Sequence, residues 1–473
     1  MVEAREDGSE SKQKHPPMKS NRPLEKYGLT ALACATATLA MADSSTNSVT
    51  APVLDRPAET QSQAWNWHVQ NTDIVQGYPA FPAQYSGSQS LPPGGETRES
   101  VSLDLMAGVR LWPGAEAHID GLMWQGFGVA DTFGVDGFPS GEAVRLGTSV
   151  PNVNIPRLFI RQTIGLGGDT EKIEDDQFTL AGQQDVSRIT LTLGRYSVKD
   201  IFDSNAYAND PRSQFMNWAL MANEAWDYPA DALGYITGFA AELNQPGWAV
   251  RYGFFQMPRA SNGTAIDGHV FEAWGMVTEL ERRYSLRDHP GTVRLLAFLN
   301  HANMGSYQEA VDIASQTGQP ADIDAIHAYR YKYGFGLNWE QEVITHVGVF
   351  SRIGWSDGQN EAWAFSDVDR TATLGLSIKG DGWHRPNDTV GLAGVANGIS
   401  QMHQEFFAAG GTGILAGDGM LDYSWEKIME TYYDCQLWKS IHASLDYQFI
   451  ANPAFNSARG PVSVFGVRIH WEF

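Results

Sequence analysis

The sequence predicts an all-β protein, a transmembrane antiparallel β-barrel of about 16 strands with short helical inserts in its loops. Three observations carry that expectation. Apolar and hydrophilic residues alternate with a period of two in run after run. No uninterrupted apolar stretch of about 18 residues, the length that crosses a bilayer as a helix, occurs anywhere in the sequence. Trp and Tyr gather at the ends of the alternating runs, where the two membrane interfaces would lie. Composition agrees. The 473-residue chain is 42% hydrophobic and only 19% charged, below the soluble average of ~25%. Its 33 Lys plus Arg against 55 Asp plus Glu give a net charge of −22, which excludes a strongly basic nucleic-acid binder. Its 2 Cys cannot staple a chain of this length.

The first element is an address. Residues 1–42 order a basic region, an apolar stretch from Tyr27 to Met41 and the small-residue site Ala40-Met41-Ala42, as a secretory signal peptide does. Met18 offers a second start, and an accidental apolar patch in a disordered tail is the alternative reading. Cleavage after Ala42 removes six basic and five acidic side chains and leaves 27 Lys plus Arg against 50 Asp plus Glu. It also leaves Cys435 as the single thiol, so no internal disulfide is expected. Residues 43–63, rich in Ser, Thr, Pro and Ala, read as a flexible lead-in, and 64–473 as the barrel.

Sixteen strands are expected, at 65–76, 100–112, 115–126, 156–167, 187–198, 231–243, 248–258, 271–284, 291–303, 330–342, 346–356, 371–380, 388–396, 426–438, 439–451 and 463–473. The last shows the pattern most plainly. Phe465, Val467, Ile469, Trp471 and Phe473 take one face, and Val464, Gly466, Arg468, His470 and Glu472 the other. Val101, Leu103, Leu105, Ala107 and Val109 likewise oppose Ser102, Asp104 and Arg110, and Ile189, Leu191 and Leu193 oppose Arg188, Thr190 and Thr192. Such strands match the ~9–11 residues of a tilted membrane crossing. A soluble sandwich alternates too, but sixteen such strands would make an unusually large one. The expected interfacial girdle comprises Trp65, Trp67, Trp112, Trp124, Tyr329–Tyr333, Trp355, Trp438, Trp471 and Phe473. A terminal aromatic on an alternating strand resembles the mark by which the outer-membrane assembly machinery reads its clients, here Phe473 with Trp471. Closure follows, since an open sheet edge in lipid would strand its amides.

One connection is too long for a turn. Residues 199–231 carry an apparent helix start at Asp210-Pro211, followed by Phe215, Trp218 and Ala219 at helical spacing. Such a loop can fold into a wide bore and constrict it, or cap the barrel from outside.

Several motifs then fall in order: Gly134-Val135-Asp136-Gly137-Phe138-Pro139-Ser140-Gly141-Glu142-Ala143, Ile155-Pro156-Arg157-Leu158-Phe159-Ile160-Arg161-Gln162-Thr163, Asp200-Ile201-Phe202-Asp203, Tyr207-Ala208-Asn209-Asp210-Pro211-Arg212, Phe215-Met216-Asn217-Trp218 and Trp226-Asp227-Tyr228-Pro229-Ala230-Asp231. Together they resemble the carbohydrate-selective porin (OprB) family over nearly all of 65–473. The resemblance implies a sixteen-stranded outer-membrane channel of a Gram-negative bacterium that passes glucose and other sugars passively.

A bore of this width is water-filled, so selectivity needs groups that replace sugar hydration at a narrow point. Arg suits paired hydroxyls because its fork donates two parallel hydrogen bonds; carboxylates accept from hydroxyls, and aromatic faces stack on the ring. Parity directs Arg157 and Arg161 to the lumen, as it does Arg110, Arg188, Asp104, Arg251, Arg468 and Glu472. Glu142 and Arg145 can reach inward from a Gly-rich loop, and Trp218 is the aromatic candidate. For each arginine a solvated wall or structural ladder is the competing assignment. No cofactor, metal or catalytic step is expected, and the histidines are scattered. The expected partners are permeating sugars, outer-membrane lipid and the assembly machinery, with a homotrimer open as an assembly and nucleic acid excluded. A general diffusion pore without sugar preference and a soluble secreted glycan-binding protein are the rival functions.

Overall fold

The computed structural model describes residues 62–143 and 147–473; the signal peptide, most of the lead-in and Arg145 lie outside the described residues. In chain order the strands are β1 (Trp65–Tyr78), β2 (Glu96–Trp112), β3 (Ala115–Gly126), β4 (Thr148–Gly165), β5 (Thr170–Ile173), β6 (Gly182–Asp185), β7 (Arg188–Tyr196), β8 (Ile236–Gln245), β9 (Trp248–Gln256), β10 (Trp274–Leu286), β11 (His289–Met304), β12 (Ala328–Ile344), β13 (Val347–Ser356), β14 (Arg370–Gly380), β15 (Arg385–Gly398), β16 (Glu426–Trp438), β17 (Ile441–Ala451) and β18 (Val462–Glu472). All but β5 and β6 form one closed antiparallel barrel, and those two pair only with each other. The helices are α1 (Trp218–Met221), α2 (Tyr307–Thr317) and α3 (Gln401–Ala408), all in loops. Each of the sixteen expected strands is present.

The barrel closes where β1 meets β18, paired from Gln70↔Glu472 to Gly77↔Phe465. The final residue extends the seam, since the amide of Phe473 donates to the Val69 carbonyl and Val69 donates back to Phe473. Alternation holds around the cylinder. On β18, Phe465, Val467 and Ile469 are exposed outward, whereas Val464, Gly466, Arg468 and His470 are buried inward.

The two rims differ. One carries two-residue turns at Pro113-Gly114, Pro246-Gly247, Arg287-Asp288, Thr345-His346 and Lys439-Ser440. Arg287 and Asp288 both have positive φ, at 54° and 66°, the geometry that matches strand twist in a tight hairpin. Gly114 (φ 76°) admits no side chain, because a Cβ there would lie 2.2 Å from the Thr163 carbonyl oxygen. Short turns mark the periplasmic rim of an outer-membrane barrel, and the longer loops face outside. One connection breaks the rule: 166–187, on the short-turn rim, carries the β5–β6 hairpin, which the alternation pattern does not predict.

Three further expectations are corrected. No helix starts at Asp210-Pro211. Asp210 caps a single turn, accepting from the Arg212 amide, and the only helix nearby is α1, capped by Asn217. Trp124 leaves the girdle: it faces inward on β3 and packs with Leu122, Leu233 and Tyr235. The fourth strand begins at Thr148 rather than 156, because Ile155 and Pro156 together oppose Gly121. That bulge is how an internal proline is accommodated without a missing ladder bond.

The outward face predicts a mutational asymmetry. Leu193→Arg puts a charge on an exposed lipid-facing position and should cost about 2–4 kcal/mol of folding into vesicles. Thr190→Arg, on the lumen face of the same strand, should fold like wild type; equal losses in the heat-modifiable band would contradict the assignment of faces.

Candidate functional site

The lumen is furnished by loops. The segment 198–235 runs inside the barrel, and 215–232 is buried throughout. An irregular chain there has backbone amides that no ladder satisfies, so each needs another acceptor. Wall carboxylates provide them: Glu279 accepts from the Asp203 amide at 2.7 Å, Glu340 from Ala206 at 2.6 Å, and Glu430 from Met216 and Asn217 at 2.6 and 2.9 Å. Glu426 does the same for Gly137, at 2.8 Å, in the loop after β3. Arginines hold the carbonyls. Arg352, fully buried, donates to Asp203 Oδ1 at 3.1 Å and to the Leu220 and Ala208 carbonyls at 2.8 Å each. Arg468 donates to Pro211 and Gln214 at 2.6 and 2.8 Å.

These loops leave a cavity of about 300 Å³ within the barrel. Its polar side is built from Arg157, Asp200, Lys199, Arg212 and Glu142, and its apolar side from Phe138, Trp218, Tyr228, Tyr235 and Phe365, with Phe178. The Arg157 fork is bidentate on Asp200, at 2.8 and 2.9 Å, and its third nitrogen donates to Asp120 at 2.9 Å. Three of its five N–H groups are thereby engaged and two remain. Its flat faces lie against Phe178 (4.7 Å) and Tyr235 (5.0 Å). Arg212 bonds Glu142 at 3.2 Å and approaches Asp104 at 3.6 Å, and Glu142 also accepts from Ser102 at 2.5 Å. Burial pushes the Glu142 carboxyl above its usual range, with Arg212 pulling the other way. Trp218 stacks on Phe138, with centroids 5.1 Å apart and planes 13° apart, and neighbours Phe365 at 5.0 Å.

Of the residues singled out from the sequence, Arg157, Glu142 and Trp218 line this cavity, and Asp104 stands behind it. Arg161, Arg110 and Arg188 lie nearer the short-turn rim and donate to residues of the connection 166–187. Arg251 belongs to a wall ladder, bonded to Glu242, Glu279 and Glu281. Trp471 and Phe473 sit on the outward face at the short-turn rim, Trp471 paired with Ile441, and Phe473 packs 5.7 Å from Trp67. Asp200, Arg212, Tyr235 and Phe178 were not singled out. Asp200 and Arg212 fall inside motifs quoted for the family resemblance, which could have flagged them, whereas nothing in the sequence around Phe178 does.

The sequence pattern of the carbohydrate-selective porin, OprB family matches residues 88–473. The chain belongs to that family. The high-pH structure of Pseudomonas putida OprB is similar to it at 17% identity, covering 87% of this chain and 94% of that one with a TM-score of 0.66, which supports the fold. Porin AaxA of Chlamydia abortus is 21% identical over 284 residues, 60% of this chain; the match spans about half (54%) of that relative's length. Membership in the OprB family and a closed barrel place the chain in the outer membrane of a Gram-negative bacterium, in a family of channels rather than enzymes.

Because Arg352 pins the inward loop through three partners, Arg352→Met would leave the Leu220 and Ala208 carbonyls without that donor and Asp203 with Lys199, at 3.0 Å, in place of two buried cations. The loss should be about 3–5 kcal/mol in thermal or denaturant unfolding, with a noisier, larger single-channel conductance. Wild-type stability in that variant would show that the loop is held elsewhere.

Proposed function

We propose that this chain is a passive channel for glucose and other mono- and oligosaccharides, with the cavity between Arg157, Glu142 and Arg212 and the aromatic side as its selective constriction. The observation that carries the reading is the pairing, across one lumenal cavity, of hydrogen-bonding charges with aromatic faces. A sugar ring offers hydroxyls at its edge and a weakly apolar face, and the cavity meets both. Charge compensation points to neutral solutes. Both cavity guanidiniums already face carboxylates, so an incoming anion gains little, while the spare N–H groups of Arg157 and the lone pairs of Glu142 can exchange hydroxyls for water.

Passage involves no bond-making step, and a conducting site must release what it binds; affinity of roughly millimolar order is expected, near 4 kcal/mol. Phe473 and Trp471, on the lipid-facing end of β18, serve in this reading as the recognition mark for assembly. Removal of Phe473 is expected to lower the yield of inserted barrel without altering the conductance of what inserts.

The test is liposome swelling with glucose, a neutral non-sugar of equal size, and gluconate. Glucose should enter fastest, and Trp218→Ala should raise the glucose concentration that half-blocks single-channel current by about five-fold, the value of one aromatic contact. Equal rates for all three solutes would leave a general diffusion pore. A protein that behaves as a monodisperse globule without detergent would remove the channel altogether.

A further inference from the structure

The connection 166–187 is not needed to join its strands. Gly165 pairs directly with Arg188 across β4 and β7, so a two-residue turn like those elsewhere on this rim would suffice. Instead the chain makes the β5–β6 hairpin and folds it back into the bore. Its tip is closed by mutual amide–carbonyl bonds between Asp176 and Thr179, and the two residues between them, Gln177 and Phe178, line the lumenal cavity. The Phe178 ring lies 4.7 Å from the Arg157 guanidinium carbon, 6.1 Å from Phe159 and 6.3 Å from His118.

The hairpin is held by lumen-facing polar groups from several strands. Arg161 donates to the Phe178 carbonyl at 2.8 Å, Arg188 to Glu171 at 2.7 Å and Asn66 to Asp175 at 2.8 Å. Gln177 donates to Gln70 and Glu472 at 3.0 Å each. Beside the hairpin, along β7–β9, opens a second chamber of about 610 Å³ that includes Asp200, Thr190, Glu242 and Arg251. Asp200 borders both spaces. The hairpin tip stands between them, with Gln177 and Phe178 on the first and Asp176 and Thr179 on the second.

We propose that the β5–β6 hairpin, entering from the periplasmic rim, is the selectivity floor of this channel, with Phe178 as the aromatic surface that meets the sugar ring beside Arg157. The proposal rests on the sugar-channel reading above and adds to it a specificity-determining element on the side of the barrel opposite the long loops. Phe178 shields one face of the Arg157 guanidinium from water, which strengthens the remaining hydrogen bonds that guanidinium can offer. The floor also sets a size limit, because the hairpin fills bore that would otherwise be open to the periplasm.

Two variants test it in planar bilayers and liposomes, each first checked for the heat-modifiable band of a folded barrel. In the first, 166–187 is replaced by Pro-Gly. KCl conductance should rise at least about two-fold as cross-section is regained, and raffinose should enter nearly as fast as glucose. In the second, Phe178→Ala, conductance should stay close to wild type while the half-blocking glucose concentration rises about five-fold, and Phe178→Trp should restore block. Unchanged conductance and size limit in the replacement would overturn the floor. Unchanged glucose block in Phe178→Ala would overturn the stacking role. If wild type itself shows no block by glucose, the sugar reading fails, and the conductance of the replacement variant still decides whether the hairpin narrows the bore.

Discussion

Lipid offers no hydrogen-bond partner to a backbone, and the rest of the structure depends on that. Every strand must find two neighbours, so β1 must meet β18 and the sheet must close. Once it closes, each residue of a strand has only two destinations, the acyl chains or the bore, and side-chain parity decides between them. That is why a run as plain as Val101 to Arg110 already separates hydrocarbon from chemistry, and why most strand charges turn inward, with Asp73 on β1, between Val101 and Ile469, among the exceptions.

The bore then poses the same requirement again. Loops that enter it bring amides with no ladder to join, and Glu279, Glu340, Glu426 and Glu430 answer from the wall. Carboxylates suit the task because two oxygens can accept two amides in a charge-assisted geometry, as Glu430 does, and Arg352 and Arg468 take the opposite part for carbonyls. The acidic balance of the sequence is in good measure this internal scaffolding. The cavity inherits its character from it: guanidiniums that face carboxylates on one side, rings on the other, and little net charge to select for ions.

The legible part of this protein was what period two controls. Sixteen strands, their faces and their closure follow from the alternation, and parity alone directs Arg157, Arg161 and Asp104 inward. The same parity would have placed Trp124 inside, beside His118 and Asp120 on the even face of β3, had its aromatic character not suggested an interface. What stayed hidden depends on distant partners. Asp210-Pro211 has the chemistry of a helix start, yet Gln214 takes the Asn209 and Asp210 amides and Glu430 those of Met216 and Asn217, so no helical ladder forms. The stretch 166–187 is polar and Gly-rich with no alternation, and its two strands are four residues each. Its place in the bore comes from Asn66, Gln70 and Glu472, all remote in sequence, together with Arg161 and Arg188 on the strands it joins.

The wall carboxylates carry a consequence for biogenesis. The segment 198–235 precedes every one of its principal acceptors in the chain: Glu279 is on β10, Glu340 on β12 and Glu430 on β16. It therefore has no home until β10, β12 and β16 stand in the wall beside it. The selective interior is completed only when the wall around it is, and a half-built intermediate would be a leaky, unfiltered hole. A cell that inserts such barrels has reason to keep the unfinished wall in the grip of its insertion machinery until β1 and β18 have met.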